Sequence, residues 1–181
     1  MDHTEYIVEI KKVIDPWFIK KIISFIDHKA TKNLSVKGGL DTNIRNVKGY
    51  SLNLDTPTNN FYWNFIKAEI NRLYVFYKAK FPLMMSEKIN QIDILKYSPG
   101  GKYEIHTDHY TTNPRHLSII MNLNDDYEGG DLIFTDQQKN EIKKFNLGKG
   151  SIIFFPSNFI YPHGITPIKK GTRYSIVAWL Q

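Results

Sequence analysis

The stretch QIDILKYSPGGKYEIHTDHYTTNPRHLSIIMNLNDDYEGGDLIF, residues 91–134, decides the fold. It alternates short runs rich in Ile, Leu, Tyr and Phe with clusters of Gly, Pro, Asn and Asp, the pattern of strands joined by turns. Extended to the C-terminus, the pattern predicts about eight strands, over 91–97, 102–106, 116–123, 131–134, 141–145, 151–155, 161–165 and 173–180. No helix-length segment interrupts them, which argues against a parallel sheet with crossover helices and for an antiparallel jelly roll. Toward the N-terminus the period changes. Asp15-Pro16 reads as a cap followed by proline at the first helical position, and apolar residues from Trp17 to Ile26 recur at helical spacing, predicting a helix over 15–29. Phe61, Phe65, Ile70, Leu73 and Tyr77 predict a second over 59–80. Between them, 30–58 reads as a loop-rich cover with a turn at Asp55-Thr56-Pro57 and one strand near 50–54. The expected fold is therefore mainly β with N-terminal helices (α+β). It is a double-stranded β-helix, or jelly roll, of about eight strands backed by two or more helices. A single domain is expected over 1–181, with 1–88 as helical support and cover and 89–181 as the core.

Composition narrows the function. The 181 residues are 41% hydrophobic and 23% charged, which fits a globular chain and excludes disordered or fibrous classes. No run reaches the roughly 20 apolar residues of a membrane span, and the start MDHTEYIVEI is polar and acidic, so a cytoplasmic protein is expected. Cysteine is absent, which removes disulfides, thiolate nucleophiles and Cys-rich zinc sites and leaves His, Asp and Glu as metal ligands. The net charge of +6 is spread along the chain rather than gathered into a stripe, so no nucleic-acid partner is expected.

His106 and Asp108 stand two apart at the end of an expected strand, so both side chains emerge on one face. Alone, the pair reads equally well as a surface hydrogen bond. His163 adds weight by its place at the Tyr161-Pro162-His163-Gly164 turn, where a jelly roll returns a late strand beside an early one. Two imidazoles and one carboxylate, with other positions open, form the ligand set of non-haem Fe(II) oxygenases. Arg173 follows ten residues later; taken singly it reads as a strand salt bridge.

These residues fall in a longer series. Tyr97-Ser98-Pro99-Gly100, Tyr103 to Asp108, Glu128-Gly129-Gly130-Asp131-Leu132, His163, Gly171-Thr172-Arg173-Tyr174-Ser175 and Trp179 stand in the order and near the spacing of a known family. The series, which covers about half the chain, resembles the 2-oxoglutarate/Fe(II)-dependent dioxygenases, in particular their prolyl 4-hydroxylase-like branch. The resemblance implies that His106, Asp108 and His163 bind Fe(II) and that 2-oxoglutarate and dioxygen are cosubstrates, with ascorbate as a further cofactor. It also implies that Arg173 grips the distal carboxylate, a task suited to a planar guanidinium. Metal, Asp108, 2-oxoglutarate and Arg173 then balance to zero charge. Tyr97, Tyr103 and Trp179 match pocket-lining positions. The implied reaction is hydroxylation of a prolyl residue in a peptide or protein, with release of succinate and CO2.

One departure is Asn122, where many prolyl hydroxylases have a tyrosine that also holds the distal carboxylate; Asn122, Ser118 or Tyr97 is expected to take that part. Halogenases of the superfamily lack the carboxylate that Asp108 supplies. Nucleic-acid demethylases carry a second arginine at the place of Trp179. Two other readings stay open: a hydroxylase of a free amino acid or other small molecule, and a non-enzymatic jelly-roll module binding metal or sugar.

Overall fold

A computed structural model describes residues 3–29, 31–35, 39–86 and 88–181. The N-terminal part holds β1 (Val8–Ile10), α1 (Pro16–Asp27), β2 (Lys32–Asn33), β3 (Arg45–Asn46), β4 (Lys48–Ser51) and α2 (Pro57–Lys80). Ten strands follow. They are β5 (Ile89–Tyr97), β6 (Lys102–His106), β7 (Leu117–Asn122), β8 (Glu128–Gly129), β9 (Leu132–Thr135), β10 (Glu141–Phe145), β11 (Ile152–Pro156), β12 (His163–Ile165), β13 (Ile168–Lys170) and β14 (Arg173–Leu180).

Both helices begin with the same device. The Asp15 carboxylate accepts from Trp17 N at 2.7 Å and Phe18 N at 3.3 Å ahead of α1, and Thr56 Oγ1 accepts from Asn59 N at 3.1 Å ahead of α2, each with proline in the first turn. Asp55-Thr56-Pro57 is thus a helix start rather than the expected turn, and α2 begins two residues early. Buried Phe18, Ile22, Phe25 and Ile26 of α1, with Ile66, Ile70, Leu73 and Tyr77 of α2, form the apolar stripes that cover the outer face of the large sheet. No helix among the described residues is long and apolar enough to cross a membrane.

The strands form two antiparallel sheets. One runs β1-β11-β7-β14-β5-β4-β2, the other β10-β9-β12-β6-β3, and a small β13-β8 pair stands at one end. All paired strands are antiparallel, and the jelly roll backed by helices is as expected. All six residues of β7 are buried because both its faces are covered. Leu117, Ile119 and Met121 meet the helices, while Ile120 joins Tyr97, Phe134, Phe155, Val177 and Trp179 between the sheets. The five unforeseen strands, β1, β2, β3, β8 and β13, are two or three residues long, too short for a period to show. Two of them, β2 and β3, lie in the segment expected as a loop-rich cover, of which residues 30 and 36–38 lie outside the described residues. β3 pairs with β6 and so joins the inner sheet.

Gly164 lets β12 approach β6 closely. A Cβ there would stand 2.8 Å from Tyr103 O and 3.1 Å from Ile105 Cδ1, in a strand that pairs on both sides. Gly164→Ala is expected to lower stability by about 1–3 kcal/mol through overpacking, read as a lower urea midpoint; an unchanged midpoint would contradict the tight contact.

Candidate metal centre

The centre is assembled by register. His106 ends β6 and His163 opens β12, and the two are direct cross-strand partners. Asp108 lies in the bend just past β6. His106 Nε2 is 3.4 Å from Asp108 Oδ1, and His163 Nε2 is 3.4 Å from Asp108 Oδ2. One ligand atom from each of the three falls within 4.8 Å of the others, a group able to hold a metal ion.

Each partner fixes a donor atom. His106 Nδ1 lies 2.9 Å from Glu104 O and His163 Nδ1 lies 3.0 Å from Tyr161 O. A carbonyl only accepts, so both rings carry a proton on Nδ1 and present Nε2 to Asp108. Ser118 Oγ donates to Asp108 Oδ2 at 2.7 Å and lies 2.8 Å from Ser157 Oγ. Tyr103 stacks on the His106 ring at 3.6 Å, and Phe155 meets the His163 ring edge-on at 4.7 Å. Burial first, then the neighbouring His163, lowers the proton affinity of His106. Burial alone would raise the Asp108 carboxyl, but the two imidazoles outweigh it and hold Asp108 well below the usual carboxylate range. A deprotonated carboxylate flanked by two imidazole Nε2 atoms is the donor set that a divalent cation needs.

Arg173 opens β14 and pairs with Tyr97 of β5. Its guanidinium is 1% exposed, lies 5.3 Å from the Tyr97 ring centre, and donates only from Nη1, to Ser175 Oγ at 3.1 Å. Nε and Nη2 are buried without a partner among the described residues. A buried cation with two idle donors is expensive unless an anion joins it. The donor set and this orphaned guanidinium together fit Fe(II) and a dicarboxylate.

Two candidates for the second carboxylate contact are committed elsewhere. Both amide hydrogens of Asn122 are taken by Asn124 O and Leu147 O, each at 2.6 Å, and the single hydroxyl hydrogen of Ser118 goes to Asp108. Tyr97, whose phenol burial keeps protonated, is the one of the three placed beside Arg173. Tyr103 and Trp179 line the pocket at the metal cluster. His109 and His116 stay outside the cluster, bonded to Arg115 O and Ser86 Oγ.

A cavity of about 370 Å³ opens beside Asp108, walled by Tyr103, Trp179, Arg45, Arg115, Gln91 and Asp93 among others. The last four were not singled out in the sequence. The only signal was in β5, where polar Gln91 and Asp93 alternate onto the same inward face as Leu95 and Tyr97.

Ser118→Ala removes the donor that orients Asp108 and is expected to weaken Fe(II) binding about 10- to 100-fold, measured by anaerobic metal titration of the folded protein. Unchanged affinity would show that the hydroxyl does not position the carboxylate.

Residues 92–181 match the family model described as the 2OG-Fe(II) oxygenase superfamily. A PKHD-type hydroxylase of Prochlorococcus marinus is 30% identical over 94% of this chain and 76% of its own length. Another, from Idiomarina loihiensis, is 28% identical over 55% of this chain and 45% of its own. Over most of these relatives the chain spans about half their length or less. Among solved structures, a prolyl hydroxylase of Trichoplax adhaerens in complex with a hypoxia inducible factor peptide fragment superposes with a TM-score of 0.80 at 16% identity, covering 98% of this chain and 84% of that one. A Pseudomonas putida prolyl-4-hydroxylase gives 0.77 at 16% identity, covering 97% and 92%. A cluster of two histidines and an aspartate between jelly-roll sheets, in a chain so related, leads to one assignment: the chain belongs to the 2OG-Fe(II) oxygenase superfamily, alongside the PKHD-type hydroxylases it matches, with Fe(II), 2-oxoglutarate and dioxygen as its cofactor set.

Proposed function

We propose that the chain is a single catalytic domain that hydroxylates a prolyl residue in a peptide or protein, with release of succinate and CO2. The observation that carries this reading is the His106, Asp108 and His163 cluster, set beside an open cavity with the orphaned Arg173 guanidinium buried between the same sheets. A simple metal- or sugar-binding module has no use for that second cation. A peptide substrate is favoured by the prolyl hydroxylase that shares the fold and whose structure holds a peptide fragment.

In this proposal His106, Asp108 and His163 hold Fe(II), and Ser118 keeps the Asp108 carboxylate turned toward it. Arg173 takes the distal carboxylate of 2-oxoglutarate through its idle Nε and Nη2, and Tyr97 adds a protonated phenol beside it. When bound, metal and cosubstrate supply the oxidative decarboxylation that activates dioxygen and transfers one oxygen atom to the substrate carbon. The protein's share is geometric. Phe134 and Phe155 wall the His163 ring with apolar surface, and Tyr103 holds His106 flat by stacking. Trp179 and Tyr103 form a rigid aromatic wall for the substrate.

Mass spectrometry of proline-containing peptides incubated with enzyme, Fe(II), 2-oxoglutarate and ascorbate is expected to show a gain of one oxygen. No oxygenated peptide, with 2-oxoglutarate still consumed, would count against the prolyl substrate alone. Arg173→Ala is expected to raise the half-saturating 2-oxoglutarate concentration about 10- to 100-fold, with a smaller change in kcat. An unchanged requirement for 2-oxoglutarate would return Arg173 to a structural part. His163→Ala is expected to abolish succinate formation, and near-normal turnover would refute its assignment.

A further inference from the structure

The cavity beside the metal centre holds a buried carboxylate that the oxygenase reading leaves unused. Asp93 is 2% exposed and lines this cavity from β5. Gln91, two residues before it on the same face, joins it to a cation. Gln91 Nε2 donates to Asp93 Oδ2 at 2.9 Å, and Arg115 Nη2 donates to Gln91 Oε1 at 2.8 Å. Arg115 is held in turn with its guanidinium 3.7 Å from the Trp179 ring centre. The chain Arg115-Gln91-Asp93 holds the three groups together, and it leaves Asp93 Oδ1 buried without a partner among the described residues.

The Asp93 charge also lacks a contact counter-ion, since no ion pair to it occurs among the described residues and a neutral amide separates it from Arg115. Arg45, the other guanidinium of the cavity, is stacked over Tyr103 at 4.6 Å and donates to Ser35 O. A buried carboxylate in this situation is satisfied by a cationic donor arriving in the cavity. A prolyl nitrogen within a peptide carries no hydrogen, so the target ring itself cannot supply it. The donor must come from another part of the substrate.

We propose that Asp93 is a specificity-determining residue that accepts a hydrogen bond from a protonated nitrogen of the substrate, and so selects substrates with a positive charge close to the reacting carbon. This rests on the oxygenase reading above. The chemistry has two sources: a Lys or Arg side chain flanking the target residue of a polypeptide, or the α-ammonium of a free amino acid. Gln91 is the positioning residue, because it holds Oδ2 and leaves Oδ1 unpartnered among the described residues, on a side chain that lines the cavity.

Calorimetric titration under argon, with enzyme loaded with Fe(II) and 2-oxoglutarate, tests this without turnover. The probes are blocked pentapeptides Gly-X-Pro-Y-Gly with Lys, Gln or Glu at X or Y, together with free L-proline, L-lysine and L-arginine. The expected result is that a Lys peptide binds at least about tenfold tighter than its Gln counterpart, and that Asp93→Asn removes this difference while leaving the Gln peptide's affinity in place. A purely structural Asp93 would weaken all peptides alike. Binding of a free amino acid alone, lost in Asp93→Asn, supports the proposal with the α-ammonium as source and turns the substrate away from polypeptides. Equal affinity for Lys and Gln peptides, a preference that survives Asp93→Asn, or no binding of any cationic probe overturns it. The oxygenase reading is judged separately, by the visible absorption that Fe(II) and 2-oxoglutarate develop together in the same samples.

Discussion

The site depends on one pairing, the antiparallel register that sets the first residue of β12 opposite the last residue of β6. Slip it by one residue and His163 would point to the other face of the sheet. The pairing is held from both sides, since β9 binds the far edge of β12, and Gly164 removes the side chain that would hold the strands apart. The carboxylate comes from the bend that ends β6, so its position follows from the same strand. Two histidines 57 positions apart in sequence thereby meet with ring centres 4.4 Å apart.

Charge organises what the register assembles. Asp108 is buried between two imidazoles that keep it ionised, and Arg173 is buried with two donors idle. The second is an uncomfortable state for a folded protein, because a buried charge with idle donors costs far more than it returns. In the proposed function a divalent cation at Asp108 and a dianion at Arg173 complete both groups. Asp93 repeats the pattern in the wall of the cavity, where a guanidinium and a carboxylate are tied through one amide and one carboxylate oxygen is left unpartnered among the described residues. Stability is spent at three buried charged side chains among the described residues, which is the arrangement expected of a site rather than of a core.

Much of this was legible in the chain. The eight longer strands and both helices follow from period and punctuation, and the caps follow from Asp15-Pro16, although the same device at Thr56-Pro57 reads as a turn when the following run begins with polar Thr58-Asn59-Asn60. His106, Asp108 and His163 stood out because a jelly roll returns a late strand beside an early one, and Arg173 stood out through the family resemblance. What stayed hidden was set by tertiary contact. β3 has two residues and no period, yet it brings Arg45 over Tyr103. Asn122 looked available until Asn124 O and Leu147 O took its amide hydrogens. Arg115 lies in an irregular segment, and only the fold turns it toward Gln91 and Trp179.

The central claim is that these three side chains, and no others, hold the iron. Crystals soaked with Fe(II) under argon and measured at the iron absorption edge test it directly through anomalous scattering. The account predicts one strong peak bounded by His106 Nε2, the Asp108 carboxylate and His163 Nε2. A peak at any other group of residues, or no peak in crystals that diffract well, would contradict it.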